Sequence, residues 1–254
     1  NIYFELGSYE KSIDYTLKSI KLAILTNNKM EASFGYYLLG MVYTNTKDYY
    51  KSLIYLKKAL AIKINLENKE DIGMVYSRIG SLYCILGQVD SAFINLKNAS
   101  KYLNQINKKE LLNINITEMG KLYLQISNYD SANFYLQKCT AYDSTKNIVQ
   151  FLIEDYLLLS KNFFLQNNFS RTKNYLQKVS KLIDSTATLT NQLNYAEMQS
   201  LLYQKLNNYP LAFAAYKRYI LIRDSIYNQD MKTSIALKEA RFEFDKKALA
   251  DSLK

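Results

Sequence analysis

The chain has 254 residues, with 33 Lys and Arg against 23 Asp and Glu, giving a net charge of +10. It contains no histidine, which excludes Ser–His and Cys–His catalysis, histidine metal sites and a histidine pH switch. One proline and seven glycines leave few helix breakers, and no alternating strand pattern with hairpin turns is present.

Taken from the N-terminus, the sequence reads as a succession of helix pairs. Residues 1–6 fit the end of a first helix, so we expect the chain to begin inside a repeat and to be part of a longer protein. The predicted solenoid covers 1–227, in units of about 1–26, 31–66, 70–104, 109–142, 147–184 and 189–227. Polar links are expected between units, including Asp143 to Lys146 and Asp184 to Thr190.

Equivalent residues return every 40 positions along these units. The columns hold a small residue, an aromatic and a second small residue: Gly40, Gly80, Gly120, Ser160 and Ser200; Tyr43, Tyr83, Tyr123, Phe163 and Tyr203; Ser52, Ala92, Ala132, Thr172 and Ala212. A fixed period of this size indicates a repeat array. Glycine inside a helix costs about 1 kcal/mol relative to alanine, so we expect close packing of the second helix at this point to offset it.

The order of these residues resembles the tetratricopeptide repeat family, whose first helix carries an aromatic, Leu-Gly and Tyr before two small residues in the second. The matching residues are Tyr36, Leu39, Gly40, Tyr43, Ser52 and Ala59, and again Tyr76, Ile79, Gly80, Tyr83, Ala92 and Ala99. The resemblance implies an all-α, right-handed superhelix of about five and a half helix–turn–helix repeats. The 40-residue period exceeds the family's usual length of about 34, and we expect the extra residues in the second helix and the link.

Beyond the repeats, residues 228–254 are predicted to form a helix that either caps the last unit or carries a signal out of the domain. Arg223 to Ile226, with Phe242 to Lys247, is similar to the segment that follows the repeats in membrane-anchored bacterial regulators. This resemblance implies an extracytoplasmic sensor region of an inner-membrane protein, followed by a kinase, cyclase or helix-turn-helix output domain. A cytoplasmic location is the alternative.

Catalytic chemistry has little support in the sequence. Glu154 and Asp155 are neighbours, so we expect them to point to different sides of a helix. Cys84 and Cys139 are not spaced as a metal site or redox pair, and Cys139 stands in a small-residue column that predicts core packing. No phosphate-binding glycine loop is present. We therefore predict a non-enzymatic domain with no cofactor and no metal.

The family resemblance places the binding surface on the first helices, which bind peptides or partner helices in that family. The slots it implies in this chain are Tyr37, Met41, Thr44, Ser77, Ser81, Thr117, Lys121, Leu157, Lys161 and Phe164. Only Lys121 and Lys161 are basic, so the set that grips a C-terminal carboxylate in some members is missing. A protein or peptide with apolar anchors is the expected partner, or a second copy of the chain.

Three hypotheses of function follow. The first is the interaction domain of a bacterial signal-transduction regulator, as in a two-component system. The second is a free-standing cytoplasmic scaffold or peptide-sensing adaptor. The third is nucleic-acid binding by lysines spread along the second helices, such as Lys57, Lys58 and Lys178; their wide spacing favours an ordinary solvated face.

Overall fold

The computed structural model describes residues 9–183 and 187–252, and in these residues the backbone forms α-helices and no β-strand. The helices are α1 Tyr9–Leu25, α2 Lys29–Asn45, α3 Tyr49–Asn65, α4 Lys69–Ile85, α5 Val89–Gln105, α6 Lys109–Gln125, α7 Tyr129–Lys146, α8 Val149–Leu165, α9 Phe169–Leu182, α10 Leu189–Lys205 and α11 Tyr209–Ser252. Consecutive helices pack as antiparallel neighbours, which confirms the predicted all-α solenoid. Residues 1–8, the predicted end of a first helix, lie outside the described residues.

One turn design joins most of the helices. A residue with positive φ stands every 20 positions from Asn27 to Asn167, including Glu67 (φ 55°) and Gly87 (φ 71°), and again at Asn207. The next residue donates its N–H back into the preceding helix, as from Asn28 to the Ala23 carbonyl (2.8 Å). The Asn28 side chain then accepts from the Glu31 N–H (3.1 Å) and caps the following helix. Because one residue closes one helix and opens the next, three-residue connections suffice.

The 20-residue spacing of these turns, which is half of the 40-residue period, explains the length of the repeat. First and second helices are both 17 residues long in the α2–α3 and α4–α5 units, and they differ by one residue in the α6–α7 unit. The extra residues are therefore shared between both helices, and are not confined to the second helix as the sequence suggested. The expected link from Asp143 to Lys146 is also wrong: α7 continues to Lys146, since the left-handed residue that ends the helix is Asn147 (φ 54°).

The apolar core runs continuously from unit to unit. Leu53 and Leu56 of α3 pack with Val75 and Ile79 of α4, and equivalent clusters join α5 to α6, α6 to α7 and α8, and α8 to α9 and α10. A single helix pair cannot bury both of its apolar faces, so each unit depends on its neighbours.

The recurring glycine allows the two helices of a unit to approach closely. A Cβ on Gly40 would lie 2.6 Å from Leu56 side-chain atoms, and one on Gly80 would lie 2.7 Å from those of Leu96. The close packing expected at this point is confirmed. The small residue of the second helix contributes as well, since the Ser52 hydroxyl donates to the Gly40 carbonyl (2.8 Å).

Tyrosines and lysines of the predicted columns pack on one another. The Tyr43 and Tyr55 rings stack with their centroids 5.4 Å apart, and Tyr123 and Tyr135 do the same at 5.3 Å. Lys178 places its ammonium 4.8 Å from the centroid of the Tyr175 ring, and Lys57 and Lys58 lie over tyrosine rings in the same way. Stacked and cation–π pairs of this kind contribute about 0.5–1.5 kcal/mol each.

The last helix, α11, begins at Tyr209 and runs without a break to Ser252, across the boundary predicted near residue 227. Pro210 stands in its first turn, where the missing N–H has no helical partner to lose. The apolar side chains predicted to line this helix at 235–253 lie outside the described side chains. Residues 184–186, in the predicted link before α10, also lie outside the described residues.

Candidate partner-binding surface

One face of the molecule is built from the first helices of the units, α2, α4, α6, α8 and α10. From α4 onwards each of these helices also contacts the next first helix along the chain. We call this face the first-helix surface. It is the face on which the family resemblance placed the ten candidate residues.

The N-terminal candidates are used mainly in packing. Tyr37 packs against the core cluster between α3 and α4. The Thr44 hydroxyl lies within hydrogen-bond distance of the Gly40 carbonyl (2.9 Å) and the Ser52 hydroxyl (2.8 Å), which joins the two helices of the unit. Ser77 is buried, whereas Met41 and Ser81 are half-buried. None of these five residues lines either of the two cavities described below.

The C-terminal candidates divide into three groups. Leu157 is buried in the core cluster of α8, α9 and α10, against which Phe164 also packs. Lys161 is exposed to solvent. Thr117 and Lys121 line a small cavity between α6, α7 and α8. The structure therefore brings only these last two candidates together at a concave site.

This cavity, which we call the α6–α8 pocket, has a volume of about 40 Å³ and exposes both polar and apolar surface. Its lining residues are Asn113, Ile114, Thr117, Glu118, Lys121, Asp143, Phe151, Glu154 and Asp155. Four carboxyl groups face one ammonium group here. The pocket is thus acidic, although the chain as a whole carries a charge of +10.

Two of the four carboxyl groups are buried beside each other. Asp143 and Asp155 are each 1% exposed. The Asn113 amide donates to Asp143 Oδ1 (2.9 Å), and the Cys139 thiol lies 3.1 Å from Asp155 Oδ1. The two carboxyls also hydrogen-bond to each other, and their Oδ2 atoms are closed off from solvent. Burial of two carboxyl groups carries a large desolvation cost.

The two aspartates respond to this cost by holding a proton. Burial raises the pKa of Asp155 to about 8, and the neighbouring carboxyl of Asp143 contributes in the same direction. Burial also raises the pKa of Asp143, against the opposing effect of its hydrogen bonds. Because two adjacent carboxylates cannot both ionise cheaply in a buried site, the pair retains one proton near neutral pH.

The rim of the pocket has a cation of its own. Lys121 Nζ lies 2.8 Å from Glu118 Oε1 and 2.6 Å from Glu154 Oε1, which ties α6 to α8. Burial opposes the charge of Lys121, but the two carboxylates outweigh it and raise the pKa of this ammonium above its usual value. Lys121 is therefore committed to the rim glutamates and does not neutralise the buried aspartates.

A larger cavity adjoins the α6–α8 pocket along the same face. It has a volume of about 250 Å³, shares Phe151 and Glu154 with the pocket, and is otherwise lined by Gln150, Thr188, Thr190, Asn191 and Asn194. We call it the α8–α10 cavity. Together the two concavities form a depression of mixed polar and apolar character across three first helices, with Phe151 (40% exposed) as an apolar contact between them.

Sequence reasoning missed the carboxylates of this site. Glu154 and Asp155 were expected on different sides of a helix, yet both line the α6–α8 pocket. The repeat gave only a weak signal. The slot of Asp155 holds Val75 two units earlier but Asn115 one unit earlier, and the slot of Asp143 holds Leu103 one unit earlier but Lys63 two units earlier.

The repeat units were compared with known proteins. The model of the tetratricopeptide repeat matches residues 35–63, the α2–α3 unit. The same helix pair, with the same turn and glycine contact, recurs along the chain. The α2–α3 unit is a tetratricopeptide repeat, and the chain has the fold of a tetratricopeptide repeat array. Repeats of this family mediate protein–protein interaction. No curated protein matches the sequence.

Solved structures that resemble this tetratricopeptide repeat protein share its fold at low sequence identity. BtubC from P. vanneervenii is 14% identical over 86% of this chain and 92% of its own, with a TM-score of 0.68. The apo form of RapI is 17% identical over 89% and 81%, with a TM-score of 0.72. A Rap protein complexed with Competence and Sporulation Factor is 13% identical over 90% and 74%, with a TM-score of 0.66.

The extracytoplasmic placement in an inner-membrane protein, expected from the C-terminal segment, is corrected by these results. Within 9–183 and 187–252, no helix combines the length and apolar character that crossing a bilayer demands. The resemblance to RapI gives that placement no support either. The short charged segment around Arg223 was therefore an unreliable guide to location.

Proposed function

We propose that this tetratricopeptide repeat protein is the ligand-binding part of a bacterial signal-transduction regulator, and that it binds a peptide segment across α6, α8 and α10. The observation that carries the proposal is the depression formed by the α6–α8 pocket and the α8–α10 cavity. It combines carboxyl and amide side chains with one exposed phenylalanine, the mixture expected of a peptide site. The likeness in fold to a Rap protein solved with Competence and Sporulation Factor supports the regulatory role.

A matched pair of phenylalanines tests the location of the site. Phe151 on α8 lines both concavities and is 40% exposed, whereas Phe134 on the second helix α7 is 63% exposed and lines neither. Immobilised random hexapeptides would be screened for binding to the wild-type chain, and the selected peptides measured by fluorescence anisotropy. Phe151→Ala should weaken binding at least about tenfold, while Phe134→Ala should leave it unchanged. Equal losses in both variants would contradict the proposed location.

A second measurement separates a signalling role from that of a rigid adaptor. A sensor must bind its ligand more tightly in one conformation than in another. Small-angle X-ray scattering with and without a saturating selected peptide should therefore show a change in the solution profile. Binding with an unchanged profile would favour the adaptor hypothesis.

A further inference from the structure

The last helix, α11, leaves open a face that the other second helices bury. Each of α1, α3, α5, α7 and α9 packs against the first helix that follows it in the chain. Helix α11 packs on α10 and contacts α1, but it runs unbroken to Ser252, so within 9–183 and 187–252 no first helix follows it. The side that such a helix would cover carries four aromatic side chains that are each at least 50% exposed: Tyr209, Phe213, Tyr216 and Tyr227. We call this side the α11 end face.

The interior junctions show what the same slots do when a helix covers them. Phe93 on α5 occupies the slot of Phe213, and its ring meets the Tyr123 ring of α6 edge-on, with the centroids 6.5 Å apart. Lys57 on α3 occupies the slot of Lys217, and its ammonium lies over a tyrosine ring of α4, 5.5 Å from the centroid. A terminal unit that only closes a repeat array presents a polar outer face. The end face instead keeps the side chains of a junction between helices.

The charged residues of the end face complement one another across a two-fold axis. Lys217 Nζ lies 5.7 Å from the centroid of the Phe213 ring, which places this lysine on the face. Asp224 follows seven residues later, on the same side of the helix and two turns away, and both charged residues are exposed. When two α11 helices lie antiparallel about a two-fold axis near Ile220, Lys217 of each copy meets Asp224 of the other. Because a two-fold interface repeats every contact, two ion pairs form.

The end face also offers enough area for a modest interface. An aromatic side chain buries about 150–250 Å², so four that are at least half exposed offer about 100 Å² each for further burial. Two copies would then cover about 800 Å² through these side chains alone, and the flanking Leu221, which is also exposed, adds to this area. Stable protein–protein interfaces start at about 1,200 Å². The area therefore fits a dimer that dissociates on dilution.

We propose that two copies of this chain associate through the α11 end face, with their α11 helices antiparallel about a two-fold axis near Ile220. The second copy takes the place of the following first helix, which is also antiparallel at the interior junctions. The aromatic side chains bury one another, and the pairs between Lys217 and Asp224 fix the register. Arg223 already donates to Asp224 Oδ1 (2.9 Å), so Oδ2 is the oxygen that the lysine of the other copy reaches. No end-face residue lines either cavity of the peptide site, so the two proposals are independent.

Analytical ultracentrifugation of the full chain measures this association directly. The sedimenting mass should rise from that of one copy, 29.6 kDa, to that of two as the protein concentration is raised from about 1 μM to about 1 mM, the range in which a small interface dissociates. The mass of a single copy throughout this range would overturn the proposal.

A matched pair of phenylalanines tests the location of the interface. Phe213 on α11 is 65% exposed, and Phe134 on α7 is 63% exposed but lies on a second helix whose following first helix is present. Phe213→Ala should weaken the dimer at least about tenfold, as expected for a buried aromatic anchor, whereas Phe134→Ala should leave it unchanged. A dimer that Phe213→Ala does not weaken, or that both variants weaken equally, would overturn the assignment to α11.

Charge reversal tests the two-fold register. Lys217→Glu and Asp224→Lys each place like charges together at two symmetric positions, so each should weaken the dimer at least about tenfold. The double variant restores opposite charges and should bind within about threefold of wild type, an interaction that a double-mutant cycle isolates. Both residues are exposed, and circular dichroism would verify that every variant is folded. A double variant as weak as the single ones would overturn the antiparallel pairing.

Discussion

Replacing Asn162 by leucine should stabilise the protein, because the chain buries this amide without hydrogen-bond partners. Asn162 on α8 is 0% exposed, and neither its Oδ1 nor its Nδ2 has a partner among the described groups. The same slot in other units holds Val42, Leu82, Leu122 and Leu202, each no more than 2% exposed. The slot is therefore an apolar core position that α8 fills with a polar side chain.

The size of the gain follows from the chemistry of the exchange. Asparagine and leucine have the same number and branching of side-chain heavy atoms, so Asn162→Leu replaces an amide by an isobutyl group with little change of shape. An unpaired buried amide costs about 1–3 kcal/mol relative to a paired or absent one. We therefore expect a gain of about 2 kcal/mol, which corresponds to a rise in Tm of about 4–8 °C for a chain of this size.

Urea unfolding followed by circular dichroism at 222 nm measures this change in stability. Asn162→Leu should raise the midpoint without altering the m-value, whereas the matched reverse change, Leu122→Asn, should lower stability by about 3 kcal/mol or more. A loss of stability in Asn162→Leu would refute the reasoning. It would mean that the amide has a partner, such as an ordered water, that compensates for its burial.

Three further predictions concern packing, turns and pH. Gly80→Ala should lower the free energy of unfolding by about 1–3 kcal/mol, because the added Cβ would lie 2.7 Å from Leu96 side-chain atoms. An unchanged urea midpoint would contradict the close packing. Glu67→Gly should raise the free energy of unfolding by about 1 kcal/mol, because glycine adopts a φ of 55° without strain. The gain should be larger than that of Asn167→Gly at the equivalent turn, and equal gains would count against this account. Burial raises the pKa of Asp155 to about 8, so the folded chain keeps a proton that the unfolded chain releases near pH 4. The contribution of this retained proton to the free energy of unfolding is complete below pH 4. It declines by up to about 1.4 kcal/mol per pH unit until pH 8. Asp155→Asn should remove that decline in stability. Parallel stability–pH curves for wild type and variant would refute the assignment of the decline to Asp155.

The sequence predicted the fold well because the fold repeats. Gly40 and its counterparts appear in the same frame in every unit, so weak local signals reinforce one another. The 20-residue half-period was less visible, since the left-handed turn residue is Asn27 at one turn, Lys47 at the next and Glu67 at the third. Lysine and glutamate have no preference for that conformation, and the helix boundaries therefore followed from tertiary packing.

The site was harder to predict than the fold because its residues depart from the repeat. Family resemblance selected slots such as Tyr37 and Leu157, which this chain uses in packing. It overlooked Asp143 and Asp155, whose proximity depends on how α7 and α8 cross. Repeat columns locate residues that all units share, whereas a binding site within one unit consists of the residues that differ.

The departures of α8 from the repeat concentrate on one face of that helix. Asp155 and Asn162 are seven residues apart, so they lie on the same face, two turns from each other. Asn162 stands in a slot that is apolar in the other units, whereas the slot of Asp155 holds Asn115 one unit earlier. Only Asp155 lines the α6–α8 pocket, so the two substitutions should affect different properties. If Asn162→Leu gains stability and keeps peptide binding, the polar face of α8 costs stability at one position and supports binding at the other.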